Sequence, residues 1–230
     1  METDYSHLGK VLPFAVLPLA LLALISFSLT RPAKASQQES GNARLSYTRT
    51  LKGSVPEYTV VTVNSDGTGT YDGRQLSASP DPQSFKLSTA TLDRLFSLAA
   101  ELNYFRSIDL ESHKKVANLG RKTLTYEKDG QKSSAEFNYT QDKRAEELSS
   151  LFEKIAAVEQ HIRALKFAIK YDHLGLAHEL LLIQIDLEHK ALADPEMMVP
   201  TLEEIARNPR FLHLAQVRAQ NILERVRNSN

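Results

Sequence analysis

The hydrophobic period of this chain changes for the last time at Thr140, and that change limits what it can fold into. Between Ala43 and Tyr139 most apolar side chains fall at alternate positions in short runs broken by Gly, Pro and Asp, the period of pleated strands. Beyond Thr140 they recur every three or four residues, the period of helices. Strands with one helix among them come first and helices alone after, an order that reads as an α+β fold: an antiparallel sheet with helices on one face, then an all-α helical module. The corresponding division is residues 43–160 for the sheet-and-helix domain and 161–230 for the helical module.

Leu45, Tyr47, Arg49 and Leu51 share one side of the first extended run, which Lys52-Gly53-Ser54-Val55-Pro56 ends. Tyr58 to Asn64 alternates again, with enough apolar character on both faces for an interior strand. Ser65-Asp66-Gly67 turns the chain into a third strand from Thr68 to Tyr71. After the Ser- and Pro-rich loop 76–84, Phe85-Lys86-Leu87 reads as a short edge strand. Ser88 is placed to cap a helix that carries Leu92, Leu95, Phe96, Ala99 and Leu102. Residues 106–119 have no period. Lys122–Glu127 and Ser133–Tyr139 flank the turn Lys128-Asp129-Gly130-Gln131 and form a second hairpin.

Leu148, Leu151, Ile155, Val158, Ile162, Leu165 and Ile169 then repeat at three-four spacing on one helix face. Two arrangements use such a stripe: a coiled-coil dimer seam, or a long helix lying on the sheet and continuing into the helical module. The second is preferred, because three heptads are the lower limit for a coiled coil, and a monomer is expected with it. Leu174–Leu187 follows as a helix whose Leu180-Leu181-Leu182-Ile183 run implies burial on nearly all sides. Asp194-Pro195 marks another helix start, and Asn208-Pro209-Arg210 separates that helix from a last one over Phe211–Arg227.

Val11 to Leu29 is apolar apart from Ser26 and Ser28, and Ala33-Lys34-Ala35 after it has the small residues of an export-signal cleavage site. Residues 1–35 therefore read as a signal peptide cleaved before Ser36, or as an uncleaved N-terminal anchor, since a run of this length can just cross a bilayer. Residues 36–42 read as a polar linker. The expected location is periplasmic or secreted, with inner-membrane anchoring through residues 11–29 as the alternative. Without residues 1–35 the chain keeps 25 basic and 26 acidic side chains of its 28 and 28, a balance that argues against a nucleic-acid partner. The absence of cysteine rules out thiol catalysis, disulfides and zinc ribbons.

Arg49-Thr50, the Gly53…Pro56 turn, Tyr58-Thr59-Val60 and Asp66-Gly67 with Tyr71-Asp72-Gly73 resemble an uncharacterised family of bacterial envelope domains. That family's pattern carries two cysteines that this chain lacks, with Leu51 and Lys52 in its Pro-Cys region and Val55 before Pro56, and the resemblance implies no activity. Val199–Ile205 with Asn208-Pro209 and Gln216–Leu223 resembles one HEAT-type helical hairpin.

Few residues suggest chemistry. His178 and His189 lie eleven residues apart, about 16 Å along a helix, too far to share a metal, so His173, His178 and His189 read as solvated or capping side chains. Asp66-Gly67-Thr68-Gly69 is explained by a turn, the Asn138-Tyr139-Thr140 sequon reads as accidental, and the pairs Glu146-Glu147 and Glu203-Glu204 fall on helix exteriors. No catalytic, cofactor or metal residue is assigned and no cofactor is expected. The function expected is a non-catalytic envelope binding module, with another envelope protein as partner through the C-terminal helices. The alternative is a hydrolase or metal-dependent enzyme whose site assembles from Asp109, Glu111 and His113 in the aperiodic loop.

Overall fold

A computed structural model describes residues 43–228 of the chain. The segments 1–35 and 36–42, read above as export signal or anchor and as linker, lie outside the described residues. Among the described residues no helix is long and apolar enough to cross a membrane.

Six strands form one antiparallel sheet: β1 (Arg44–Thr50), β2 (Tyr58–Asn64), β3 (Thr68–Arg74), β4 (Gln83–Lys86), β5 (Arg121–Lys128) and β6 (Gln131–Phe137). Their order across the sheet is β4-β3-β2-β1-β5-β6, so the meander β1-β2-β3-β4 and the hairpin β5-β6 join through β1·β5. The register aligns the apolar positions in rows. Tyr71, Val61, Tyr47, Leu124 and Ala135 stand opposite one another in successive strands, and Val63, Leu45 and Tyr126 form the next row. All eight are buried on one face, while Ser46, Thr48, Thr62, Thr123 and Thr125 alternate onto the other, half-exposed one.

Two glycines of β3 are fixed by this packing. A Cβ on Gly69 would overlap the Phe85 ring, which lies across it from β4, and a Cβ on Gly73 would overlap the Tyr71 phenol. The Tyr71-Asp72-Gly73 sequence thus has a steric origin.

Helices cover only the apolar face. α1 (Thr89–Glu101) is capped by Ser88, whose side chain accepts from Thr91 N–H, and it buries Leu95, Leu98 and Ala99. α2 (Lys143–Tyr171) runs for 29 residues from its N-cap Asp142. Its first half joins the sheet core through Leu148, Phe152 and Ile155, with Phe152 stacked on Tyr47 at 5.6 Å. Its second half supplies Val158, Ile162 and Leu165 to a separate core shared with α3 (Leu176–Glu188), α4 (Val199–Arg207) and α5 (His213–Asn228). The stripe of α2 is therefore consumed within one chain, which replaces the coiled-coil arrangement by the long bridging helix.

α3 departs from expectation. Leu176, Leu180 and Ile183 are buried, but Leu181, Leu182 and Ile185 each remain more than a third exposed. Helices pack against one side of α3 only, so the Leu-Leu-Leu-Ile run is half core and half surface. The helix also begins at Leu176, leaving Leu174 exposed.

Asp194 does not cap its own helix. It takes a left-handed conformation (φ 53°) ahead of a 3-10 turn over Pro195–Met198. Its carboxylate instead accepts from Ser88 N–H (2.6 Å), Ser88 Oγ (2.8 Å) and Thr91 Oγ1 (2.5 Å) at the start of α1. An acid at a helix N-terminus satisfies orphan donors and opposes the positive end of the dipole, here across 106 residues of sequence. Asp194→Ala is expected to lower stability by about 1–2 kcal/mol, whereas Asp194→Asn, which tolerates left-handed backbone, should lose less. Thermal denaturation of the two variants checks this ranking.

Candidate functional site

At the β4 edge of the sheet, on the helix-covered face, a cavity of about 490 Å3 opens between β4, α2 and the start of α4. Gln83, Ser84, Phe85 and Lys86 form one wall, Glu159, Ile162, Arg163 and Lys166 of α2 a second, and Met197, Pro200 and Thr201 a third. Phe85 reaches this wall because Gly69 beneath it has no side chain. β4 directs Leu87 N–H to the carbonyl of Gly67 on the β3 side. By the strand's period of two, the backbone groups of Ser84 and Lys86 face the unpaired edge.

Glu159 is the unusual residue. It is 4% exposed, four positions after Ile155 and three before Ile162, and so on the apolar stripe of α2. Its side chain makes no hydrogen bond among the described residues, yet its carboxyl oxygens are not sealed off, because no buried side-chain oxygen there lacks a partner. Burial pushes its carboxyl up to about 7, with the charge of Lys166 pulling the other way. Arg163, one turn along α2, holds the rim: its guanidinium donates to Asp81 Oδ2 (2.9 Å) and the Gly73 carbonyl (3.3 Å), fastening α2 to the end of β3.

On another side of α2, His161 is 9% exposed and lies between two acids of α3. Nδ1 is 2.7 Å from Glu179 Oε1 and Nε2 is 2.8 Å from Asp186 Oδ2. Burial alone favours the neutral ring, but the two carboxylate hydrogen bonds and their charges outweigh it, and the ring's pKa is raised. As an imidazolium His161 donates from both nitrogens, which joins α2 to α3 and leaves neither nitrogen for a metal or a substrate proton. Glu179 and Asp186, seven residues apart, share one face of α3. That acid spacing opposite a buried histidine is the signal sequence reading missed.

The loop triad does not assemble. Asp109 and His113 form an ion pair at 2.8 Å, but both are about two-thirds exposed or more. Glu111 turns away to accept from Asn138 N–H (2.6 Å) and Ser112 N–H (3.0 Å), tying the loop to the end of β6. Only Glu111 of the three lines a cavity there, beside Asn118, Arg121 and Asn138. The loop carries no period because its order comes from such side-chain bonds rather than a repeating backbone pattern.

The remaining candidates have local roles. His173 lies 2.8 Å from the Ile169 carbonyl at the C-terminal end of α2, and His189 is the C-cap of α3. Asp66 accepts from Thr68 N–H and Oγ1 within its turn. Asn138 bonds Leu119 N–H and the Ala117 carbonyl, and Glu147 holds Arg94 of α1 through two hydrogen bonds. Among the described residues no group of three or more His, Asp or Glu side chains is arranged to hold a metal ion.

This architecture, a one-faced antiparallel sheet with a bridging helix, defines an α+β domain carrying a helical extension. The chain belongs to the family described as a domain of unknown function, DUF6438, whose profile matches residues 45–159. The match ends at Glu159, so the cavity lies where the family domain meets the C-terminal helices. No curated protein matches the chain.

Two groups make stability depend on pH with the same sign in different windows. Glu159 is raised in the fold, so its contribution is full below the ordinary carboxyl range and is lost as pH rises toward about 7. His161 is also raised, so its contribution is full below the ordinary histidine value and is lost as pH rises past its folded one. Melting temperature should fall with rising pH across both windows. Glu159→Gln should flatten the slope below pH 7, and His161→Gln the slope above it, the latter at a cost of about 1.5–3 kcal/mol at pH 6.

Proposed function

We propose that this protein is an exported, non-catalytic binding module of the cell envelope. The observation that carries the binding reading is the cavity between β4, α2 and α4, where a buried unpartnered acid, charged rim residues and the apolar Phe85, Ile162, Met197 and Pro200 face one space. Pockets of this size with a few polar groups on an apolar lining suit small ligands or the ends of larger ones. The best-built polar centres elsewhere, His161 with its two acids and Asp194 with the start of α1, hold helices in place. Export is supported by the apolar run Val11–Leu29 and the Ala33-Lys34-Ala35 exit.

Two measurements test the reading. Intact mass after expression in a bacterium should give a chain starting at Ser36 in the periplasmic fraction; a chain retaining Met1 in the cytosol sinks the export reading. Envelope components captured by the wild-type chain should be lost at least tenfold with Gln83→Trp, since Gln83 pairs with Tyr71 on the helix-covered face and lines the cavity, so that the indole would fill it. Undiminished capture by that variant removes the cavity from the proposal.

A further inference from the structure

The ligand class of the cavity follows from its charges. Five charged or ionisable groups line it: Asp81 and Lys86 from the segment through β4, and Glu159, Arg163 and Lys166 from α2. The third wall, Met197, Pro200 and Thr201, brings none. Behind them, Tyr71 of β3 also feels Glu159, and Lys86 acts on Asp66. Asp81 is committed to Arg163 at 2.9 Å, so that pair is neutral. Desolvation favours the uncharged form of Glu159, which then offers a hydroxyl donor and no charge. What remains is positive: Lys166, for which no ion pair is formed among the described residues, and Lys86 at the rim.

A ligand ammonium would meet these cations and would require the buried acid to ionise. A ligand carboxylate would accept the proton of Glu159 in a hydrogen bond and take Lys166 as its counter-ion. The apolar wall of Phe85, Ile162, Met197 and Pro200 calls for a hydrocarbon or aromatic body on the same molecule. We propose that the cavity binds a small amphipathic carboxylate, its head between Glu159 and Lys166 and its apolar body against Phe85, Ile162 and Met197. The proposal rests on the binding-module reading and names its ligand. The same head group is offered by a free organic acid and by the C-terminus of a peptide with an apolar last residue.

Because the complex keeps the Glu159 proton, binding takes up a proton where the free carboxyl is ionised, so affinity falls as pH rises through neutrality. Isothermal titration of the full chain with 4-phenylbutyrate at pH 6 and pH 8 tests this, alongside 4-phenylbutyramide, phenethylamine, and the peptide Ala-Ala-Phe with free and amidated C-termini. At least one free acid should bind saturably, at least tenfold more tightly than its amide, and lose fivefold or more between pH 6 and pH 8. Phenylbutyrate binding more tightly than the peptide assigns the organic-acid source, and the reverse assigns a peptide terminus. Glu159→Gln, which keeps a donor but cannot ionise, should bind with the pH dependence gone, and Lys166→Met should weaken binding at least fivefold. Tighter binding of phenethylamine, equal binding of acid and amide, or unchanged pH dependence in Glu159→Gln overturns the ligand class. If neither acid binds while Gln83→Trp still abolishes capture of envelope components, the ligand class fails and the binding-module reading stands.

Discussion

The length of α2 governs this structure. A helix of 29 residues is about 43 Å long, while a strand of seven residues reaches about 23 Å and the six strands of the sheet span about 24 Å from first axis to last. The apolar stripe of α2 does not stop where the sheet does, so Val158, Ile162 and Leu165 would stand in water unless another layer covered them. α3, α4 and α5 are that layer. Two cores result, one between sheet and helices and one among helices, and they succeed each other along α2 between Ala156 and Val158.

The places where the two cores meet carry the unusual polar groups. Asp194, at the entry to α4, reaches back to the start of α1, and Arg163 reaches across to β3 and Asp81. Between these two ties the layers do not close completely, and the gap is the cavity that the buried Glu159 lines. An acid on an apolar stripe would be costly inside a sealed core. At this junction it meets open space, remains unpaired, and titrates near neutrality. The site is thus a consequence of joining a sheet of limited extent to a longer helix.

Much of this was readable in advance where a local rule operates. The strand alternation of Leu45-Tyr47 and Val61-Val63, the turn at Asp66-Gly67, the Ser88 cap and the stripe from Leu148 to Ile169 each follow from neighbours a few residues away, and each stands in the structure. Burial around α3 did not follow. Four consecutive apolar residues say that a helix is greasy, not how many neighbours it has, and packing on one side left Leu181 and Leu182 exposed. The loop residues form no common site for a related reason: Asp109 and His113 are close in sequence and pair with each other at the surface, while the Glu111 carboxylate bonds to the end of β6.

The sequence by itself determined the periods, hence which segments are strands and helices, their antiparallel hairpins, and the one-faced character of the sheet. It also set the chemistry within reach, by supplying no cysteine. Tertiary structure alone decided which of the seven histidines lies between two carboxylates, which helix Asp194 caps, and that Glu159 looks into a cavity. The physical reason is range. Backbone period and turn geometry are settled over two to four residues, whereas a polar group's burial and partners depend on segments up to 106 residues away that only packing brings together.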